Sequence, residues 1–584
     1  MPDAAVASAF RIEIDGQALD ASVDSAVTHV VVDDHLHLPD MFMITIQESP
    51  EMNAAEKARV RIGSKVKISA TALGDPNPTE LISGEVTALE GEYRESRAPV
   101  FVVRGYDTSH RLMRGRHAVV FEQEKYSDVA GRIADSAGLE RGQIDDSGTV
   151  HEFVHQVGQT DGDFLSGLAR EIGFEVAVRD GKLDFRRPPE AGTAPEAGDL
   201  ASTDPLQLVF GQELLEFRPR VTAGGQVGLV TVKGWDVAAK TDLTAQEPGA
   251  TTGAELTDSP ASMAAAFGSP AYVTGDRPLH SQADVDARAK ALAEQIGSAF
   301  AEAAGIARGN PNLRAGAAVN ISLVANPFAG RYTLTHTRHV YEPRTGYRTH
   351  FEISGRQERS LLGLVGGGAA GSDAVAATGL GGVQVGIVTD NADPQNLGRV
   401  RVRLPYAGVD FVTDWARVAA PGNGPSRGFV WIPEVSDEVL VAFHHGSVRE
   451  PYVLGGLWNG VDAPPPIELD GGQLNGRKMV TRDGNEVFFW DKPGNSTLGM
   501  ATAGQEVVSM LDRLQKEFSV TSDGKIGLTA QGDIEIRATG KVTITGDAGV
   551  EMTSSASAKV SGGGQLSLES NGVTSVKGAQ VSLG

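Results

Sequence analysis

Gly524-Lys525-Ile526-Gly527-Leu528-Thr529-Ala530-Gln531-Gly532-Asp533-Ile534-Glu535-Ile536 begins a stretch whose reading decides the fold. Apolar residues two apart recur every eight positions: Ile526/Leu528, Ile534/Ile536, Val542/Ile544, Val550/Met552, Ala558/Val560 and Leu566/Leu568. A small residue stands two before each pair, at Gly524, Gly532, Gly540, Ala548, Ala556 and Gly564, and Gly572 continues the series. A fixed period of this kind predicts a repetitive β-architecture. Eight extended residues span ~26 Å at ~3.3 Å each, too little for one chain to enclose a core whose walls stand ~10 Å apart. Three chains supplying one wall each would close a prism, with both apolar positions inside and the small residues at its corners. Leaving a dozen such side chains in water would cost on the order of 20 to 30 kcal/mol, so trimerisation is expected to be part of folding. The roughly eight octads after Ser519 would build a rod on the order of 40 Å long.

Working outward, the 584-residue chain is long enough for three or four domains, and its 40% apolar content is that of a globular protein. Lys and Arg number 52 against 75 Asp and Glu, and the net charge of −23 argues against a nucleic-acid or anionic-lipid surface. With no Cys, disulfides, thiolate zinc sites and cysteine nucleophiles are excluded. Met1 to Asp20 lacks the basic and apolar regions of a signal peptide, and no apolar run reaches membrane-spanning length. A chain made in the cytoplasm is therefore expected.

Residues 1–364 read as short alternating strands with a few capped helices. Phe10, Ile12 and Ile14 alternate before an Asp15-Gly16 turn, and Met41 to Ile46 and Val66 to Ile68 are further strands. Three helices are expected: one capped by Ser127 and ended by Gly138, one opened by Thr160 with Asp163 and closed by Gly173, and one opened by Ser281 with Asp284 whose stripe runs to Gly305. Residues 365–382, Gly- and Ala-rich, read as a linker. Residues 383–462 return to strands at Val383 to Val388, Gly398 to Leu404, Trp415 to Val418, Gly428 to Ile432, Val439 to Phe443 and Tyr452 to Leu454, the pattern of a small closed barrel. A neck at 463–518 leads to the octads at 519–584.

The strongest enzymatic motif is His151-Glu152-Phe153-Val154-His155, which matches the HExxH string of zinc proteases. That motif needs a helix, where residues four apart share one metal ion. Here Gly148 and Gly158 bound a strand-like run, which would hold the two imidazoles ~13 Å apart. A zinc protease remains a distant alternative. Arg399, Arg401 and Arg403 share a strand face with no aromatic interleaved, and read as solvated or subunit-facing. His444-His445-Gly446 reads as a hairpin turn, and metal binding by His35 and His37 lacks an acidic partner set. A β-helical adhesin would want aromatics along the rod, yet Phe518 is the last one.

Three segments carry a resemblance: Gly386-Ile387-Val388-Thr389-Asp390-Asn391 through Gly398-Arg399-Val400-Arg401-Val402; Trp415-Ala416-Arg417-Val418-Ala419; and Ile432-Pro433-Glu434-Val435-Ser436-Asp437-Glu438-Val439-Leu440-Val441 with Val453-Leu454-Gly455-Gly456-Leu457-Trp458-Asn459-Gly460. In order and spacing they are similar to the OB-fold of VgrG and phage tail-spike proteins. Thr160-Asp161-Gly162-Asp163-Phe164-Leu165 and Gly309-Asn310-Pro311-Asn312-Leu313-Arg314-Ala315-Gly316 resemble the hub half of that family, and the octads resemble its needle. The resemblance implies a mainly β protein: a phage-hub-like base of β-barrels with a few helices, an OB barrel, and an intertwined triple-stranded β-helix. It also implies a non-enzymatic, homotrimeric spike at the centre of a contractile injection baseplate. Such a spike joins the tail tube to a PAAR-like tip protein and contacts the target membrane transiently on firing, with no cofactor and no nucleic acid.

Leu36-His37-Leu38-Pro39-Asp40-Met41-Phe42 is more similar to extracellular contractile particles than to type VI secretion spikes, with a type VI or phage tail spike as the alternative. The spacing between Gly460 and the octads is too short for an inserted lysozyme domain, and no effector extension is expected beyond Gly584. The expected needle core is Ile526, Leu528, Ile534, Ile536, Val542, Ile544, Val550, Met552, Val560, Leu566 and Leu568. Val581, Ser582, Leu583 and Gly584 are the expected contact for the tip protein. No catalytic, cofactor or metal residue is expected. Assembly into a phage tail-like particle, then action outside the cell or at the target envelope, is the expected location.

Overall fold

Alternation decides the first sheet. Along Met41–Gln47 every second residue is buried, placing Phe42, Ile44 and Ile46 in the core while their neighbours stay partly exposed. The computed structural model describes residues 10–49, 53–72, 77–95, 97–196, 204–275, 277–356, 382–408 and 411–582. The chain divides into two compact units, Met1–Ala463 and Pro464–Gly584.

In the first unit one eleven-stranded sheet carries the base. Val27–His35 pairs antiparallel with Met41–Gln47 on one side and with His336–Glu342 on the other. An N-terminal group of strands (residues 11–107) and a later group (214–353) are thus joined edge to edge. The two groups have separate cores, one around Ile12, Val30, Phe42, Ile44 and Ile68, the other around Leu214, Phe300, Val319, Tyr332 and Phe351. The Asp15-Gly16 turn forms as expected, with both residues at positive φ between Arg11–Ile14 and Gln17–Ala18.

The three expected helices are present, with two corrections. The first is Tyr126–Ala137, and its N-cap is Lys125 rather than Ser127: the Lys125 N–H donates to the Asp128 carboxylate at 3.2 Å. Gly138 closes it in the left-handed conformation. The second, Asp161–Ile172, is capped by Thr160 Oγ1, which accepts from Asp163 N at 3.1 Å, and ends at left-handed Gly173. The third, Gln282–Gly297, starts under Ser281 but does not reach Gly305. A 3-10 turn at Ser298–Phe300 ends it, and Ala301–Arg308 is a strand between Leu214–Val221 and Gly346–Ile353. The Ala-rich sequence favours helix locally, but Phe351 packs where a Gly305 Cβ would stand, 2.2 Å from its ring, so pairing with the sheet overrides propensity.

The OB segment forms a five-stranded sheet in the order Arg401–Arg403, Val383–Asp390, Glu438–Phe443, Pro451–Gly456, Arg417–Val418. Its two edge strands meet where Val400 and Ala416 exchange backbone hydrogen bonds of 3.0 and 2.7 Å, which closes the barrel. Val388, Val400, Val402, Val439, Val441 and Val453 fill it. Gly428 to Ile432 is not a strand: Phe429 and Trp431 stack at 5.5 Å in an irregular loop. The expected linker lies almost wholly at 357–381, outside the described residues.

The second unit contains an antiparallel meander of five strands, Gly476–Val480, Glu486–Lys492, Asn495–Ala501, Val507–Asp512 and Glu517–Ser522. The octads follow it directly. Among the described residues no helix is long and apolar enough to cross a membrane.

Candidate functional site

From Asp523 to Ser582 every residue is exposed, and none belongs to a strand ladder. The backbone nevertheless bends with the sequence period, at 523–524, 531–532, 539–540, 547–548, 555–556, 563–564 and 571–572, so that each bend ends on the octad's small residue. Side-chain exposure repeats as well. Ile526 and Leu528 are 54% and 75% exposed, Ile534 and Ile536 55% and 69%, Val542 and Ile544 50% and 67%. The same local geometry is therefore built again in each repeat. A Cβ placed on Gly532, Gly540 or Gly564 would meet nothing within 4 Å, so the small corner residues answer no crowding inside one chain. Val550, Met552, Val560, Leu566 and Leu568 are uncovered in the same way. Val581 is half exposed, and Leu583 and Gly584 lie outside the described residues.

The HExxH segment lies on Val150–Gln159, a strand paired with His117–Lys125. His151 stacks on Tyr126 with ring centroids 4.1 Å apart, while His155 is buried 5.2 Å from Phe411. Burial holds the His155 imidazole down to about 3, hence neutral. Among the described residues no group of three or more His, Asp or Glu is arranged to hold a metal ion.

This strand pair forms the seam with the OB barrel, whose core also receives Val120 and Val157. Arg449 of the barrel donates to Tyr126 Oη at 2.6 Å and to Glu171 Oε1 at 3.2 Å, and Arg277 lies 3.6 Å from the other Glu171 oxygen. Burial alone would raise Glu171, but the Arg449 and Arg277 guanidiniums outweigh it and hold the carboxyl down to about 2. Arg401 lies over Phe153 at 4.8 Å and within 5.9 Å of the Trp415 ring, so an aromatic does interleave the arginine row. Arg399 instead forms a two-point ion pair with Asp393, at 3.0 and 2.7 Å. His444–Gly446 is the expected tight turn.

Sequence reading misses a buried acidic cluster in the base. Asp34 accepts from Arg314 Nε and from Ala315 N, Asp40 accepts from His35 N, and Asp107 accepts from Ser109 Oγ. Burial, with Asp34 and Asp107 close by, pushes Asp40 well above the usual carboxylate range, and burial pushes Asp107 up to about 7. The three carboxylates border a cavity of about 40 Å³, and only their separation in sequence hid them.

Comparison with known proteins fits this construction. Residues 384–458, the closed barrel, match the type VI secretion system/phage-baseplate injector OB domain. The chain is thus VgrG-like, of the phage tail-like spike class: a mostly β hub carrying an injector OB domain. Residues 4–342 match the Alg8 N-terminal domain family over more than half the chain, and the chain belongs to that family. The actin cross-linking toxin VgrG1 of Vibrio cholerae serotype O1 (strain ATCC 39541 / Classical Ogawa 395 / O395) is 27% identical over 108 residues, 17% of this chain and 10% of that protein. The type VI secretion system spike protein VgrG3 of Vibrio cholerae serotype O1 (strain ATCC 39315 / El Tor Inaba N16961) is 28% identical over 110 residues, 18% of this chain and 11% of the relative. The chain spans about a tenth of the length of the curated relatives it matches. Among solved structures, the half-lidded Francisella PdpA-VgrG complex aligns with a TM-score of 0.49 at 9% identity, covering 88% of each chain.

Proposed function

We propose that this chain is the homotrimeric central spike of a contractile injection system, a mechanical part without enzymatic activity. The observation that carries the reading is the octad segment: a period-eight backbone with uncovered apolar pairs and no ladder partner among the described residues. Three copies supply the missing walls, pair every strand edge, and bury Ile526 to Leu568 along one axis. The hub then meets the inner tube and baseplate proteins, and the far end of the octads, including Val581 and Ser582, meets a PAAR-like tip protein. Such a trimer assembles into a phage tail-like particle and acts at the target envelope when the particle fires, touching the membrane transiently.

Multi-angle light scattering of the purified chain at micromolar concentration is the direct test. A species of three times the 61.3 kDa chain mass is expected. A stable monomer would end the proposal.

A further inference from the structure

Leu36-His37-Leu38-Pro39-Asp40 links Val27–His35 to Met41–Gln47 and carries a histidine that the spike reading leaves unused. His37 borders a cavity of about 80 Å³ that is also lined by the helices Asp161–Ile172 and Gln282–Gly297. Ala169 and Ala291 give this cavity its room, since a larger side chain at either position would fill it. One water needs ~10–15 Å³, so the space holds roughly five to eight heavy atoms.

The walls present hydrogen-bonding groups that the fold leaves unmet. His37 Nε2 and Arg356 Nε are buried with no hydrogen-bond partner among the described residues. Arg356 stands near two carboxylates without bonding either: Nε is 3.6 Å from Glu294 Oε1, and Nη1 is 3.9 Å from Glu175 Oε2. Glu294 is already fixed by Thr251 Oγ1 and Thr252 N, which donate at 2.8 Å each. Glu175 is 6% exposed and accepts from Arg186 Nε at its Oε1, which leaves Oε2 toward Arg356. Arg170, exposed at the rim, brings a second guanidinium. Burial holds the His37 imidazole down to about 3, hence neutral, and raises the Glu175 carboxyl. Each unmade bond around this space carries a cost that a bound molecule would remove.

The arrangement has two ends. Arg356, Arg170 and His37 offer donors, and Glu175 offers a charged acceptor. With two guanidiniums and two carboxylates around the space, a bare anion or a bare cation would lie beside a like charge, whereas a dipolar molecule satisfies both ends. We infer that this cavity binds a small zwitterionic amino acid, its carboxylate held by Arg356, Arg170 and His37 Nε2 and its ammonium by Glu175 Oε2. The volume restricts the side chain to that of glycine or alanine. Such a ligand ties both helices to the Leu36–Asp40 link and braces that part of the base.

Equilibrium dialysis of radiolabelled glycine against the purified full-length protein reads the binding directly. One glycine per chain should bind saturably with a Kd of about 1 mM or tighter. Leucine should bind at least tenfold more weakly, because its side chain exceeds the cavity. Acetate and methylamine, which carry one end each, should compete at least tenfold less well than alanine. Arg356→Met should weaken glycine at least tenfold, and Arg170→Gln, a change at an exposed position that leaves the core packing intact, about threefold or more. Absence of saturable binding overturns the site. Acetate competing as well as alanine overturns the zwitterion assignment, and binding unchanged in both variants overturns the placement in this cavity.

Discussion

The OB barrel and the octad segment use the same residue vocabulary, alternating Val, Ile and Leu with Gly at turns, and end in opposite states. In the barrel, five strands and one bridging pair close a sheet on itself, and Val400, Val402, Val439 and Val441 are fully buried. In the octads, equally apolar pairs remain half or more exposed. The difference lies in the spacing between turns. Barrel strands return to one another within a single chain, whereas an eight-residue step turns a corner before any strand can find a neighbour. Closure is thus a property of segment length as much as of side chains, and a sequence can specify a core that only several copies complete.

The largest expected effect breaks this comparison directly. Val441→Asp buries a carboxylate inside a barrel closed within one chain and should cost several kcal/mol there whatever the oligomeric state. Ile534→Asp with Ile544→Asp should leave residues 10–356 folded, yet abolish the trimer and expose the octads to protease. Limited proteolysis with mass spectrometry separates the two, and octads as resistant as the parent's would contradict their inward placement.

Next comes the seam. Arg449→Ala leaves Glu171 with Arg277 as its cationic partner and the Tyr126 hydroxyl at 2.8 Å, and about 2–3 kcal/mol should be lost from the barrel's transition in a calorimetric scan. Changing Arg449 and Glu171 together to Met and Leu should recover most of it.

The pH response should carry two opposite slopes. Glu171 falls from 4.5 to about 2 on folding, so its contribution is complete above about 4.5 and is lost as pH drops toward 2. Asp107 rises from 3.8 to about 7, so its folded form is favoured below 3.8 and stability declines as pH climbs from there to 7. Asp107→Asn should reduce the upper slope, which Asp40 and Asp414 also feed, and leave the lower one unchanged, read by urea denaturation across pH 2 to 8.

The smallest effect tests local structure. Thr160→Ala removes one cap hydrogen bond and should cost about 1 kcal/mol in the same denaturation.

Legibility in the sequence follows interaction range. The caps at Thr160 and Ser281, the Asp15-Gly16 hairpin and most barrel strands were readable because their determinants lie within a few residues. The eight-residue bends were readable because repetition amplifies a weak signal. Arg449 and Glu171 stand 278 positions apart, and Asp34 with Arg314 280, so no local pattern could announce either pair. Ala301–Arg308 misled because alanine favours helix, and only Phe351 on the neighbouring strand decides otherwise. Gly428 to Ile432 misled because alternation also fits two rings stacked across a loop.

The bridge that closes the barrel has a consequence of its own. Val400 and Ala416 exchange two backbone hydrogen bonds, and the seam runs on through Thr413 N to Val402 O at 2.8 Å and Leu404 N to Phe411 O at 2.9 Å, as isolated bridges rather than the regular ladder of the neighbouring strands. This is the barrel's zip fastener: an irregular seam should open before a regular ladder, and amide deuteration should reach Val400 and Ala416 before Val385 or Val441. Trp415, one residue from the fastener and near Arg399 and Arg401, lies where such an opening would change its surroundings. Its fluorescence lifetime would then register the first loosening of the barrel under load, well before the sheet as a whole gives way.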